Sequence, residues 1–170
     1  MNDRDQAKVF IYALCYGAGD AKIGSIVGGG RLDGRRIKRQ FFAKMPALKR
    51  LRDGIEHRLS NRDYLTGIDG RRLKIRSAHS ALNTLLQSAG AIAVKEATVL
   101  LHDKLKSYKD GDVLQVAHIH DEIQLQVKSE IADDVGRLSV QAIREAGENL
   151  GFRCPLDGEY KVGRIWAETH

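Results

Sequence analysis

The hydrophobic periodicity of the chain changes at about residue 60, and that change restricts the fold more than any other feature of the sequence. Before it, apolar residues recur at helical spacing between glycines and a proline; after it, short runs with a period of two alternate with long helical runs. Residues 4–16 read as a helix with Asp3 as its candidate N-cap, Gly17 and Gly19 break it, and Asp20 is placed to cap a second helix through Val27. Gly28 to Gly30 form a hinge. A third helical stretch spans about Leu32 to Lys44, weakened by Gly34. Pro46 suits the first position of a fourth helix, ending near Leu59.

Beyond residue 60, Tyr64 to Thr66 and Leu73 to Ile75 flank an Asp69-Gly70 turn and predict a short hairpin. Ala78 to about Leu105 is a long apolar-rich helix with Leu82, Leu85, Leu86, Ala89, Ile92 and Leu100 as core candidates. Val113 to His120 and Ile123 to Val127 are two strands; in the second, Ile123, Leu125 and Val127 alternate with Gln124, Gln126 and Lys128. Ile131, Val135, Leu138, Ala142, Ile143 and Ala146 mark an amphipathic helix expected to cover a sheet face. The tail from Cys154 to His170 holds one more short strand at most. Helices first, then strands and helices mixed, predict an α+β fold, with a helical subdomain at 1–60 beside a mixed one at 61–170.

Composition narrows the class. No apolar run approaches the ~20 residues that a membrane span needs, and the charged start (Asn2, Asp3, Arg4, Asp5) is unlike a secretory signal. The two cysteines, Cys15 and Cys154, stand far apart and form no CxxC pair, which argues against a zinc site or disulfide framework. The net charge of +6 suits a polyanionic partner, although many cytosolic proteins are equally basic.

Arg4, Lys8, Tyr12 and Tyr16 are spaced four apart. On a helix each such step drifts only ~40°, so all four share one broad face. Arg offers a fork and Lys a point charge to a triphosphate, the two rings could lie against sugar and base, and the helix amino end favours an anion. RxxxK is more often a solvated face, and YxxxY more often core packing. A second constellation, His118-Ile119-His120-Asp121-Glu122, lies between the two later strands. A turn there projects Asp121 and Glu122 as hard oxygen ligands for Mg²⁺, which takes one or two carboxylates plus substrate phosphates. Asp-Glu in a turn is also commonly just solvated. His118 and His120, sharing a strand face, would suit a transition metal, but no further ligand stands at a recognisable spacing.

RDQAKVFIYALCYGAGDAKIGSIV resembles motif B of family A DNA polymerases, especially their phage replicative branch, matching at Arg4, Lys8, Tyr12, Tyr16 and Gly17 and departing at Ala13, where the family usually has Gly. VAHIHDEIQLQV resembles motif C of the same family, matching at His120, Asp121 and Glu122. RSAHSALNTLLQSAGA resembles the family's palm helix, with Asn83 and Gln87 one turn apart and His79 one turn before them. Amides there can probe minor-groove acceptors, which sit in nearly the same place in every correct base pair.

The resemblance implies a helical fingers-like subdomain and a partial palm with a small antiparallel sheet and long helices. It implies that Arg4, Lys8 and Tyr12 bind the nucleotide, with Lys8 protonating the leaving pyrophosphate. Tyr16, Gly17, His79, Asn83, Gln87 and His120 would contact DNA, and Asp121 with Glu122 would hold Mg²⁺. Tyr at position 12 implies tolerance of dideoxynucleotides. The implied partners are primer-template DNA and deoxynucleoside triphosphates, in the cytoplasm of a bacterial or phage-infected cell. The family also needs a motif A aspartate upstream of the fingers, and the sequence starts just before Arg4. The chain is therefore expected to act with an upstream polymerase chain and not alone. Two rivals stand beside this reading: an inactive DNA-binding remnant of a polymerase, and a metal-dependent nuclease or phosphatase using His118, His120 and Asp121.

Overall fold

The computed structural model describes residues 4–169. The chain divides into two compact units, one up to Ser88 and one from Ala89 onward. Asp3, the expected N-cap of the first helix, lies outside the described residues.

The first unit opens with four helices: α1 (Arg4–Cys15), α2 (Asp20–Ile26), α3 (Arg31–Lys44) and α4 (Pro46–Leu59). Phe10 and Leu14 form the buried stripe of α1 and meet Ile23 of α2 and Phe42 of α3. Phe10 also packs edge-on to Phe41, with ring centroids 5.3 Å apart. Half-buried Cys15 is a packing thiol, and burial pushes its pKa above the ordinary value.

A Schellman cap ends α1. Ala18 N–H donates to Ala13 C=O (2.9 Å), Gly17 N–H donates to Leu14 C=O (3.0 Å), and Gly17 takes the left-handed φ of +77° that such a cap demands. Asp20 starts α2 but does not cap it; Gly19 holds that position. The Asp20 carboxylate instead pairs with Lys38 of α3 at 3.1 Å, and that hydrogen bond holds its pKa below the usual value. At the start of α3, the Asp33 carboxylate accepts from Gly30 N–H at 3.1 Å, which satisfies one of the orphan donors.

Gly34 has a role that helix propensity alone misses. It is buried, and a Cβ at that position would overlap the Asp20 carbonyl and the Gly24 amide. Helices α2 and α3 thus approach backbone to backbone, and glycine is what permits it.

The strands β1 (Tyr64–Thr66) and β2 (Arg72–Lys74) pair antiparallel, with Leu65 opposite Leu73. Gly70 (φ +82°) supplies the left-handed residue of the connection. Leu65 is buried against Ile55 of α4 and against Ala81 and Leu82. The helix expected from Ala78 begins as a single 3₁₀ turn, Ala78–Ser80, because the Ser77 hydroxyl accepts from His79 N–H and tightens the entry. Helix α5 follows, Ala81–Leu105. Leu82 and Ile92 are buried as expected and Leu85 packs partly, but Leu86 is 43 % exposed because its direction falls outside the buried stripe. Leu101, not Leu100, is the fully buried leucine near the helix end.

By length and composition alone, Ala78–Leu105 could cross a membrane. Lys95 and Glu96 sit in its middle, however, and charges at a bilayer centre are costly.

In the second unit, β3 (Val113–Ile119) and β4 (Glu122–Val127) form a two-stranded antiparallel ribbon, with a register irregularity between Gln115 and Ala117. β3 stops one residue before the expected His120. Helix α6 (Ala132–Asn149) buries Val135, Ala142 and Ala146. Lys104 of α5 holds Glu145 of α6 at 2.7 Å, and the Tyr160 ring lies where a Cβ on Gly136 would stand. The tail forms no strand among the described residues; it closes with one helical turn, α7 (Trp166–Thr169).

Gly34→Ala separates propensity from packing. On propensity it would gain roughly 1 kcal/mol; through the α2–α3 approach it should cost a net ~1 kcal/mol or more. Urea unfolding checks this, and an unchanged or higher midpoint would show that the helices can separate freely.

Candidate functional site

The buried stripe of α1 dictates what its opposite face can do. Positions 8, 12 and 16 lie roughly 160–200° around the helix from Phe10 or Leu14, so they must point outward. Arg4 and Lys8 are exposed, and Tyr12 and Tyr16 are 62 % and 57 % exposed. Core packing, the ordinary use of YxxxY, is thereby removed. Neither Arg4 nor Lys8 makes an ion pair among the described residues. Arg4, Ala7, Lys8, Ile11 and Tyr12 line one shallow depression of about 310 Å³. The result is a cationic rim beside an exposed ring, at the positive end of a helix dipole.

The cap of α1 brings a second motif to the first. A Cβ on Gly17 would fall on the carbonyl oxygen of His79. The Tyr16-Gly17 corner therefore sits against the backbone of the 3₁₀ turn that starts α5. His79 is exposed there, Asn83 is half-buried and Gln87 is exposed one turn further on. Six of the residues singled out by sequence, Arg4, Lys8, Tyr12, Tyr16, Gly17 and His79, thus share the first unit with Asn83 and Gln87.

The carboxylate turn stands on the ribbon of the second unit. Ile119 pairs with Glu122, so His120 and Asp121 alone make the connection. His120 has a φ of +56°, the one left-handed non-glycine among the described residues. Two-residue hairpins of this kind prefer glycine at that first position. Because His120 leaves the strand, it does not share a strand face with His118, which weakens the HxH metal reading. No group of three His, Cys, Asp or Glu converges on one point among the described residues.

Asp121 is exposed at the tip, whereas Glu122 is half-buried and engaged. The Trp166 indole N–H donates to Glu122 Oε1 at 2.8 Å, and the Gln124 amide donates to the same oxygen. Gln124 also reaches the Thr169 hydroxyl at 3.5 Å. Glu122 and Gln124 share a strand face by the period of two, a signal open to sequence reading. Trp166, 44 positions from Glu122, left no local signal. An exposed aspartate beside a fixed glutamate fits the demand of Mg²⁺ for one or two protein carboxylates.

The sequence model of DNA polymerase family A matches residues 1–168. The chain belongs to that family. It is 43 % identical to the DNA-directed DNA polymerase of Enterobacteria phage T3 and 42 % identical to that of Escherichia phage T7. Each comparison takes in 98 % of this chain, which spans 27 % of the length of either relative. A solved structure of the POL domain of Pol1 from M. smegmatis, in complex with DNA primer-template and dNTP, has a TM-score of 0.76. That match covers 94 % of this chain and 29 % of the other at 18 % identity, and shows likeness of fold. The expected α+β class, helical with small antiparallel sheets and long helices, agrees with this family A fold.

The strained turn carries its own test. His120→Gly should stabilise the chain by about 1 kcal/mol, since glycine takes the left-handed region freely. Thermal unfolding reads this directly, and a lower melting temperature would show that the imidazole makes a stabilising contact.

Proposed function

We propose that this chain supplies the fingers and part of the palm of a template-directed DNA polymerase, and that it extends a primer only together with a polymerase segment carrying the motif A aspartate. One observation carries the reading: Arg4, Lys8 and Tyr12 line a single exposed depression along α1. In this reading residues 1–60 act as fingers and 61–170 as palm.

Arg4 grips phosphate oxygens of the incoming deoxynucleoside triphosphate with its planar fork. Lys8, one turn on, adds a point charge and protonates the departing pyrophosphate. Tyr12 lies against the sugar and Tyr16 against a template base. His79, Asn83 and Gln87 follow the minor groove, where degenerate acceptors report pairing geometry and not sequence. His120 meets the primer terminus. Asp121, with Glu122 beside it, would hold Mg²⁺, which would supply charge stabilisation for the phosphates.

The two-stranded β3–β4 ribbon supports the need for a partner segment, because a ribbon this small rarely stands alone and its edges can pair further strands. The phage T3 and T7 relatives, named as DNA-directed DNA polymerases, support the reaction class.

Primer extension with Mg²⁺ and deoxynucleoside triphosphates tests the proposal. The chain alone should be silent, and a mixture with a segment bearing motif A should extend. Extension by highly purified chain alone would overturn the need for a partner. Silence of both, with DNA binding kept, would favour the inactive binding remnant. Within the active mixture, Arg4→Ala should raise the dNTP KM about tenfold or more, in line with loss of a charged hydrogen bond. Tyr12→Phe should increase discrimination against dideoxynucleotides, and equal incorporation by both forms would remove the role given to that ring.

A further inference from the structure

We propose that Trp166 is a positioning residue for the carboxylate turn: from the C-terminal helix, its indole N–H fixes Glu122 and so leaves Asp121 as the forward-facing carboxylate. The proposal deepens the polymerase reading and rests on it for the role of the turn.

Three observations carry it. The indole nitrogen lies 2.8 Å from Glu122 Oε1, within the range of a hydrogen bond to an ionised acceptor. Gln124 donates to the same oxygen and contacts the Thr169 hydroxyl at 3.5 Å, so both ends of α7 are tied to the strand that carries Glu122. The rest of the attachment is slight: Val162, Ile165 and Trp166 are 58 %, 62 % and 49 % exposed. A helix of four residues has no stability of its own. These polar bonds therefore help to hold its position, and with it the orientation of Glu122.

The physical need is plain. Adjacent residues at a hairpin end point to different sides, and a free glutamate has enough rotamers to reach the aspartate's space. Two like charges drifting together would repel one another. A fixed donor on one oxygen of Glu122 holds the carboxylates apart. Tryptophan suits this task because its ring is rigid and it can only donate.

Trp166 is the sole tryptophan of the sequence, so the chain has one indole N–H resonance. In ¹⁵N-labelled chain, Glu122→Ala should shift that resonance and raise its hydrogen-exchange rate about tenfold or more, while Asp121→Ala should leave it in place. An unmoved resonance in Glu122→Ala, with circular dichroism unchanged, would overturn the proposal whatever the activity. In the chain combined with a motif A segment, Trp166→Phe keeps the ring packing and removes the donor. It should lower kcat about tenfold with the dNTP KM within about twofold. Trp166→Phe combined with Glu122→Gln should be no worse than the worse single change. A loss confined to KM, no loss, or fully additive losses would overturn the positioning role. Silence of the unmutated mixture would count against the polymerase reading alone, since the resonance decides separately whether Trp166 holds Glu122.

Discussion

Burial of Phe10 is the contact on which the outward face of α1 depends. Its ring is fully buried, edge-on to Phe41, in a cluster with Leu14, Ile23 and Phe42. Removing such a ring from a core typically costs about 3–5 kcal/mol, so the rotation of α1 about its axis is strongly fixed. Once that rotation is set, the row from Arg4 to Tyr16 has only one direction to face. The same helix thus serves as a core element on one side and presents cations and rings to solvent on the other. The corner at Gly17 then transmits the placement to the start of α5 through a backbone contact that admits no side chain.

The two halves of the proposed chemistry are built on different physical terms. Cations and rings sit on a helix whose position is decided by apolar packing. The carboxylates sit on a two-residue turn whose position is decided by strand register and by polar bonds from the chain's end. The helix placement tolerates core substitutions that keep packing volume. The turn has no such latitude, because a slip of one residue in register would move Asp121 to the other face of the ribbon.

Much of this is legible in the sequence where the cause is local. Pro46 opens α4 because proline suits the first helical position, and the spacing of four is enough to place Arg4, Lys8, Tyr12 and Tyr16 on one helix face. The carboxylate turn is visible because two strand-like runs bracket it, the second of them alternating. What escapes has distant causes. Gly34 reads as a weak point of α3, yet its value lies in the Asp20 carbonyl opposite, a demand that no window around residue 34 contains. The tail reads as holding one short strand at most, but its apolar residues Val162, Ile165 and Trp166 are exposed, and one helical turn tied through Trp166 forms instead. The 3₁₀ entry to α5 follows from a single serine hydroxyl competing with the helix for a backbone donor.

His120 has a wider consequence. A left-handed histidine in a two-residue turn is less favourable to folding than glycine, which takes the same backbone freely. Position 120 therefore works as a meter of selection. In a gene released from its chemistry, drift would favour whatever residue relaxes the turn, and the histidine would be among the first letters to go. In a gene still held to its task, the strain would persist from copy to copy as a standing charge against stability.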